Sequence, residues 1–78
     1  MQTMADTALR QIREGLGATR EDIVRRTRSV SLGTVRNAEK GNRVTNDTAM
    51  QILAAVNSLS QEAGRVPVKL EDLGLNLY

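Results

Sequence analysis

The 78-residue sequence has no cysteine, histidine, tryptophan or phenylalanine, and its single tyrosine is the last residue, Tyr78. Without cysteine there are no disulfides, thiolate nucleophiles or thiolate metal sites, and without histidine there are no imidazole bases or ligands. An oxygen-ligand cation site needs clustered carboxylates, whereas the nine acidic residues are scattered along the chain. The adjacent pairs Glu21-Asp22 and Glu71-Asp72 would diverge on a helix. The composition therefore predicts no metal, no cofactor and no enzymatic activity.

Long hydrophobic runs are also missing. The longest unbroken apolar run is residues 52–56, against the roughly 20 residues needed to cross a bilayer. The N-terminal stretch MQTMADTALRQIR lacks the apolar centre of a signal peptide. These absences predict a cytoplasmic protein with no membrane partner. A chain this short forms one small domain with a limited core, and such domains often depend on a second copy of themselves.

The net charge of +2 is unevenly distributed. Residues 1–43 carry nine basic and five acidic side chains, whereas residues 44–78 carry two basic and four acidic ones. A basic half favours an anionic partner, although arginine is also a common residue on solvated helix surfaces. Proteins that read RNA or single strands usually stack bases on aromatic rings, which are almost absent here. The sequence therefore favours double-stranded DNA as the anion.

Four segments show helical periodicity and are bounded by turn-forming residues. The first covers about residues 7–16 and ends at Gly17. Its apolar stripe contains Ala5, Ala8, Leu9, Ile12 and Leu16. The second covers about residues 20–27, where the Thr19 hydroxyl is the predicted N-cap and Asp22 is the partner in a capping box.

A tight turn at residues 28–30, with Val30 as its one apolar plug, precedes the third predicted helix. Ser31 caps this helix, which covers about residues 32–40 and ends at Gly41. Its inward residues are Val35 and Ala38. Its other face has little apolar surface to bury, so that face is expected to contact a partner or solvent.

The fourth predicted helix is capped by the Thr45 hydroxyl and is the most apolar, so it should form the spine of the core. Its stripe contains Ala49, Ile52, Leu53, Val56, Leu59 and Ala63. Beyond Gly64, Pro67 favours an extended chain, residues 70–73 could form one helical turn, and the leucines that follow alternate weakly like a strand. We therefore predict an all-α fold, a compact bundle of about five helices with a short apolar C-terminal tail. The predicted domain covers residues 1–64, and residues 65–78 form an extension that packs on the core or at a dimer interface.

The segment TREDIVRRTRSVSLGTVRNAEKGNR, residues 19–43, contains two capped helices joined by a tight turn, the second ending in Glu-Lys-Gly. It resembles the phage-repressor/Cro-type (XRE-like) helix-turn-helix DNA-binding family, whose fold is lambda-repressor-like. The resemblance continues back through LRQIRE and forward through VTNDTAMQILAAVNSL, and so covers residues 9–59. Two departures stand out. The turn is one residue longer than usual, and Arg20 replaces the usual glutamine.

The resemblance implies that the helix at about residues 31–40 enters the major groove with its N-terminal residues near base edges. The implied base-facing residues are Leu32, Gly33, Thr34, Arg36 and Asn37, and the implied phosphate contacts are Arg20, Ser31, Lys40, Asn42 and Arg43. The alternative is a plain solvated face for Arg36 and Asn37, and tolerated variation for Gly33. Arg25, Arg26 and Arg28 either reach the flanking phosphates or are merely solvated. The family also implies a structural ion pair between Arg13 and Glu39.

The function implied by this resemblance is a sequence-specific transcriptional regulator, most simply a repressor that binds a palindromic operator as a homodimer. The dimer candidates are Leu70, Leu73, Leu75, Leu77 and Tyr78. The alternative is that these residues cover the core of their own domain. A second function is also compatible with the sequence: an antitoxin that binds a toxin through its C-terminal tail and represses its own operon.

Overall fold

The computed structural model describes residues 6–78, which form four α-helices and one 3-10 turn. The helices are α1 (Ala8–Gly15), α2 (Arg20–Arg25), α3 (Leu32–Glu39) and α4 (Asn46–Glu62), and the 3-10 turn is Leu70–Leu73. Within these residues there is no β-strand, only an isolated bridge between Val44 and Leu77. The all-α prediction is confirmed. There are four α-helices and not about five, because residues 70–73 complete only a single turn.

Side-chain caps set where the helices begin. The Thr19 hydroxyl accepts the Asp22 N–H at 3.1 Å, and the Asp22 carboxylate accepts the Thr19 N–H at 2.9 Å, which completes the predicted capping box. The hydroxyls of Ser31 and Thr45 each accept the amide N–H three residues further along. All three predicted caps are therefore confirmed. The first three helices end one or two residues short of their predicted limits, as is common at helix ends.

We expect the Asp22 cap to give the stability of the fold an acid dependence. The pKa of Asp22 is lowered, chiefly because the backbone N–H of Thr19 donates to its carboxylate, with Arg25 adding charge attraction. A carboxyl whose pKa is depressed by folding stabilises the fold above its unfolded pKa of about 4, and this stabilisation is lost as pH falls further. Thermal unfolding from pH 2 to 7 should therefore show a lower melting temperature for Asp22→Asn than for the wild type at neutral pH. In acid the two melting temperatures should converge. A difference in melting temperature that stays constant with pH would contradict this role of the Asp22 cap. Glu21→Gln is the control.

One hydrophobic core receives residues from every α-helix. Its buried members are Leu9, Ile23, Val30, Val35, Ala38, Val44, Ala49, Ile52, Ala55, Val56 and Leu73. The predicted spine on α4 is largely confirmed, but Ala63 is exposed because it follows the last helical turn. Ala5, assigned to the α1 stripe, lies outside the described residues. Between residues 6 and 78, no helix combines the length and apolar character needed to cross a membrane.

The C-terminal extension packs against the helices. Leu73 is completely buried, in a 3-10 turn that contacts both α1 and α4. Its side chain is therefore enclosed by its own domain, which favours the alternative that the tail covers its own core over a dimer contact at this residue. Leu70 and Leu75 are partly buried against the same core, whereas Leu77 and Tyr78 are exposed.

Candidate nucleic-acid interface

Helix α3 has a buried side and an exposed side. Val35, Ala38 and Glu39 face the interior, while Gly33, Arg36 and Asn37 are exposed. The exposed side continues into the loop that follows the helix. We use the name α3 surface for the half-buried or exposed residues Leu32, Gly33, Thr34, Arg36, Asn37, Lys40, Asn42 and Arg43. All five residues predicted to face bases are therefore half-buried or exposed.

Glu39 is buried beneath this surface in an ion cluster that joins three helices. Its side chain is 1% exposed. Arg13 from α1 donates to both carboxylate oxygens, Nε to Oε2 at 2.6 Å and Nη2 to Oε1 at 3.3 Å. Arg20 from α2 adds a third bond, Nε to Oε1 at 2.9 Å. The predicted contact between Arg13 and Glu39 is present, and the cluster compensates the charge of a carboxylate removed from water.

Arg20 has a second environment besides Glu39. Its side chain is 32% exposed and lines a cleft shared with Leu32 and Arg36. Only the Nε–H of Arg20 donates to Glu39, and a guanidinium carries four further N–H donors on its terminal nitrogens. Arg20 therefore contacts both the buried cluster around Glu39 and the cleft. The family resemblance implied a phosphate contact for Arg20 and did not indicate its bond to Glu39.

The arginines of α2 and the following turn are paired with carboxylates. Arg25 pairs with Asp22, and Arg26 pairs with Glu62 at 2.8 Å. Arg28 lies 3.7 Å from Asp47, with both side chains largely exposed. Exposed ion pairs of this kind contribute little to stability, but they reduce the net charge that these residues present to a distant anion.

The α3 surface has the opposite character. Within residues 6–78, neither Arg36, Lys40 nor Arg43 has a carboxylate within 4.0 Å. Residues 31–46 contain a single acid, Glu39, and it is turned inward. Three exposed cations on α3 and the segment that follows it therefore have no neutralising partner among residues 6–78.

Two backbone hydrogen bonds turn the chain sharply after α3. The Gly41 N–H donates to the Ala38 carbonyl at 3.2 Å, and the Asn42 N–H donates to the Asn37 carbonyl at 3.0 Å. This is a Schellman motif, and it requires the left-handed φ of 95° at Gly41, which glycine adopts without steric penalty. The turn leaves Asn42 and Arg43 exposed beside the end of α3.

The C-terminal tail holds the far end of this loop. The Val44 N–H donates to the Asn76 carbonyl at 2.9 Å, and the Tyr78 N–H donates to the Val44 carbonyl at 3.2 Å. The Asn76 amide also donates to the Gly41 carbonyl. The loop carrying Asn42 and Arg43 is therefore fixed at both ends, an arrangement that the sequence pattern did not indicate.

Gly33 and Ser31 differ in whether the fold itself uses the residue that was predicted to contact DNA. Gly33 has no left-handed φ, and an added Cβ would lie 3.9 Å from the Ser31 hydroxyl, an ordinary contact. The fold therefore does not require glycine at this position. The Ser31 hydroxyl already accepts the Thr34 N–H at 3.1 Å, so a phosphate contact by Ser31 would share its oxygen with the cap of α3.

No group of three or more acidic side chains is placed to hold a metal ion among residues 6–78.

The structure brings Arg20, Leu32 and Arg36 together at one cleft. Lys40, Asn42 and Arg43 follow these residues in the sequence and are exposed. Comparison of the chain with family models, with curated proteins and with solved structures found no match.

Proposed function

We propose that this protein is a transcriptional regulator of the helix-turn-helix type that binds double-stranded DNA sequence-specifically, acting as a repressor. One observation carries the proposal: Arg36, Lys40 and Arg43 are exposed and have no carboxylate partner within residues 6–78, while Glu39, the only acid of residues 31–46, is buried. Three such cations attract a polyanion, and a DNA duplex presents a regular row of phosphates. The near absence of aromatic side chains favours the duplex over single strands.

In this proposal α2 supports α3, and the start of α3 faces the base edges of the major groove. Arg36 is then suited to a bidentate contact with guanine, and Leu32 to contact with a thymine methyl group. A helix of eight residues reads only a few base pairs. We therefore propose that two copies bind as a homodimer to an imperfect palindrome, with half-sites about 34 Å apart.

The direct test is selection of bound duplexes from a random library at moderate salt, followed by sequencing. We expect enrichment of a two-fold symmetric site. Sedimentation of the protein with the selected duplex should then show two chains on each DNA. Recovery of no common motif would contradict sequence-specific regulation.

Arg36 and Arg43 should differ in the kind of binding that they support. Arg36→Ala should weaken binding to the selected duplex by about 1–3 kcal/mol and relax one position of the site. Arg43→Ala should weaken binding to all duplexes alike and reduce the slope of log K against log salt by about one. Fluorescence anisotropy at several salt concentrations measures both effects.

Arg65 supplies the matched control for these two changes. It is exposed, carries the same charge and lies after α4, outside the α3 surface. Arg65→Ala should leave both the affinity and its salt dependence close to those of the wild type. Equal loss from all three substitutions would contradict readout by the α3 surface, because net charge alone would explain it.

Gly33→Ala should change stability and DNA binding in opposite directions. Alanine favours a helix by up to about 1 kcal/mol over glycine, and the site has room for the added methyl group. On DNA, the same methyl group would hold the start of α3 away from the base edges. Gly15→Ala is the control, since it adds a methyl group to α1 in an ordinary contact 3.8 Å from Arg65. Melting temperature should rise in both variants, with affinity reduced only in Gly33→Ala; unchanged affinity there would remove the close-approach role.

The antitoxin alternative depends on apolar surface in the C-terminal tail. Leu73 is used by the core, and the most exposed apolar residues of the extension are Val66 and Tyr78, each 83% exposed. These two side chains are the residues that a protein partner would cover. Loss of partner binding in a Val66→Ser, Tyr78→Ser variant that still binds the selected duplex would support this second function.

A further inference from the structure

Gln51 on α4 is a buried amide whose hydrogen-bonding capacity is fully used. Its Oε1 accepts the backbone N–H groups of Arg28 and Ser29, at 2.9 and 3.1 Å. Its Nε2 donates to the Ser29 hydroxyl at 3.0 Å and to the Asp47 carboxylate at 2.9 Å. An amide side chain offers two acceptor sites and two donors, so this one makes every bond available to it.

The bonds from Gln51 hold the connection between α2 and α3. Residues 26–31 contain neither glycine nor proline, so their own sequence does not specify a standard tight turn. Two successive N–H groups of this connection, those of Arg28 and Ser29, are satisfied by one side chain from α4. Val30 is then buried in the core, and Ser31 is the N-cap of α3. The start of α3 is thereby tied to α4 through the turn.

We propose that Gln51 is a positioning residue for DNA recognition, one that fixes the start of α3 through the turn without touching DNA itself. The inference rests on the proposed function, because it assigns to Gln51 a part of the sequence preference of the α3 surface. Base contacts depend on the placement of the side chains on α3, and hydrogen bonds to bases weaken steeply when they are misaligned. Phosphate contacts by long cationic side chains tolerate a small displacement, so loss of Gln51 reduces discrimination more than general affinity.

The first experiment compares Gln51→Ala with Gln61→Ala, which removes an exposed glutamine from the same helix. For each full-length variant, affinity is measured for the selected duplex and for an unrelated duplex at a temperature where unfolding curves show the protein folded. We expect the ratio of the two affinities to fall roughly tenfold in Gln51→Ala, comparable to the loss of one base contact, and to be unchanged in Gln61→Ala.

Two further variants, Gln51→Glu alone and Gln51→Glu combined with Asp47→Asn, distinguish positioning of the turn from a general loss of stability. Gln51→Glu keeps the acceptor for the turn N–H groups but places a second carboxylate beside Asp47. Adding Asp47→Asn supplies a new amide donor and restores the net charge of the wild type. The single variant should lose discrimination, and the double variant should recover most of it. If Gln51→Ala does not fold, this pair alone decides the question.

Each outcome bears on the inference differently. An unchanged affinity ratio in folded Gln51→Ala, or no recovery in the double variant, overturns the positioning role and leaves the proposed function intact. If the wild type prefers no duplex, the proposed function fails and the inference fails with it. Faster amide hydrogen exchange at Arg28 and Ser29 in Gln51→Ala, with the rest of the chain protected, would show directly that the turn has been released.

Discussion

Glu39→Gln is expected to destabilise the fold by about 3–5 kcal/mol, although the two side chains have nearly the same shape. In the native protein, the Glu39 carboxylate is 1% exposed and balances the charges of two arginines. Its oxygens lie 2.6 Å from the Nε of Arg13 and 2.9 Å from the Nε of Arg20. A neutral amide would leave two guanidinium groups facing each other with no counter-charge, one of them largely removed from water. The loss approaches the total stability expected of a domain this small, so the variant should be largely unfolded near room temperature.

Urea unfolding followed by circular dichroism measures this loss. Glu14→Gln is the matched control, because Glu14 also pairs with an arginine, Arg10, but is 53% exposed. The control should change the free energy of unfolding by less than about 1 kcal/mol. If the two variants were equally stable, Glu39 would not hold the three helices together.

Leu73→Ala is expected to destabilise the fold by about 2–5 kcal/mol, the usual range for removing a large buried side chain. Leu73 is completely buried, and its 3-10 turn contacts both α1 and α4. Since the tail also fastens the loop that carries Arg43, its release should weaken DNA binding even where the helices persist.

Leu77→Ala is the control in the same tail, because Leu77 is 38% exposed and its bridge to Val44 uses backbone atoms. Its effect on stability should stay within about 1 kcal/mol. Sedimentation distinguishes the two roles considered for the tail. If Leu73→Ala left the melting temperature unchanged and altered only self-association, Leu73 would be a dimer contact and its burial in the core would be immaterial.

The local features of the fold could be predicted from the sequence because they depend on residues three or four positions apart. The caps at Thr19, Ser31 and Thr45 are contacts between a side chain and the amide N–H three residues further along. Gly41 ends α3 by the same local logic. Periodicity also separated the buried side of α3 from its exposed side, since that division follows from the helical repeat.

The sequence by itself therefore determined the all-α class, the starts of three helices and the exposed set of residues that includes Arg36 and Asn37. Apart from the Arg13–Glu39 pair, which the family resemblance implied, only the tertiary structure decided which distant side chains meet. It placed Arg20 on Glu39, enclosed Leu73 and directed Gln51 to the α2–α3 turn. It also paired Arg25 and Arg26 with carboxylates, whereas Arg36, Lys40 and Arg43 have none within residues 6–78. The physical reason is that periodicity shows which side of a helix is inward. It does not show which residue, 19 or 36 positions away, lies opposite once the helices have packed.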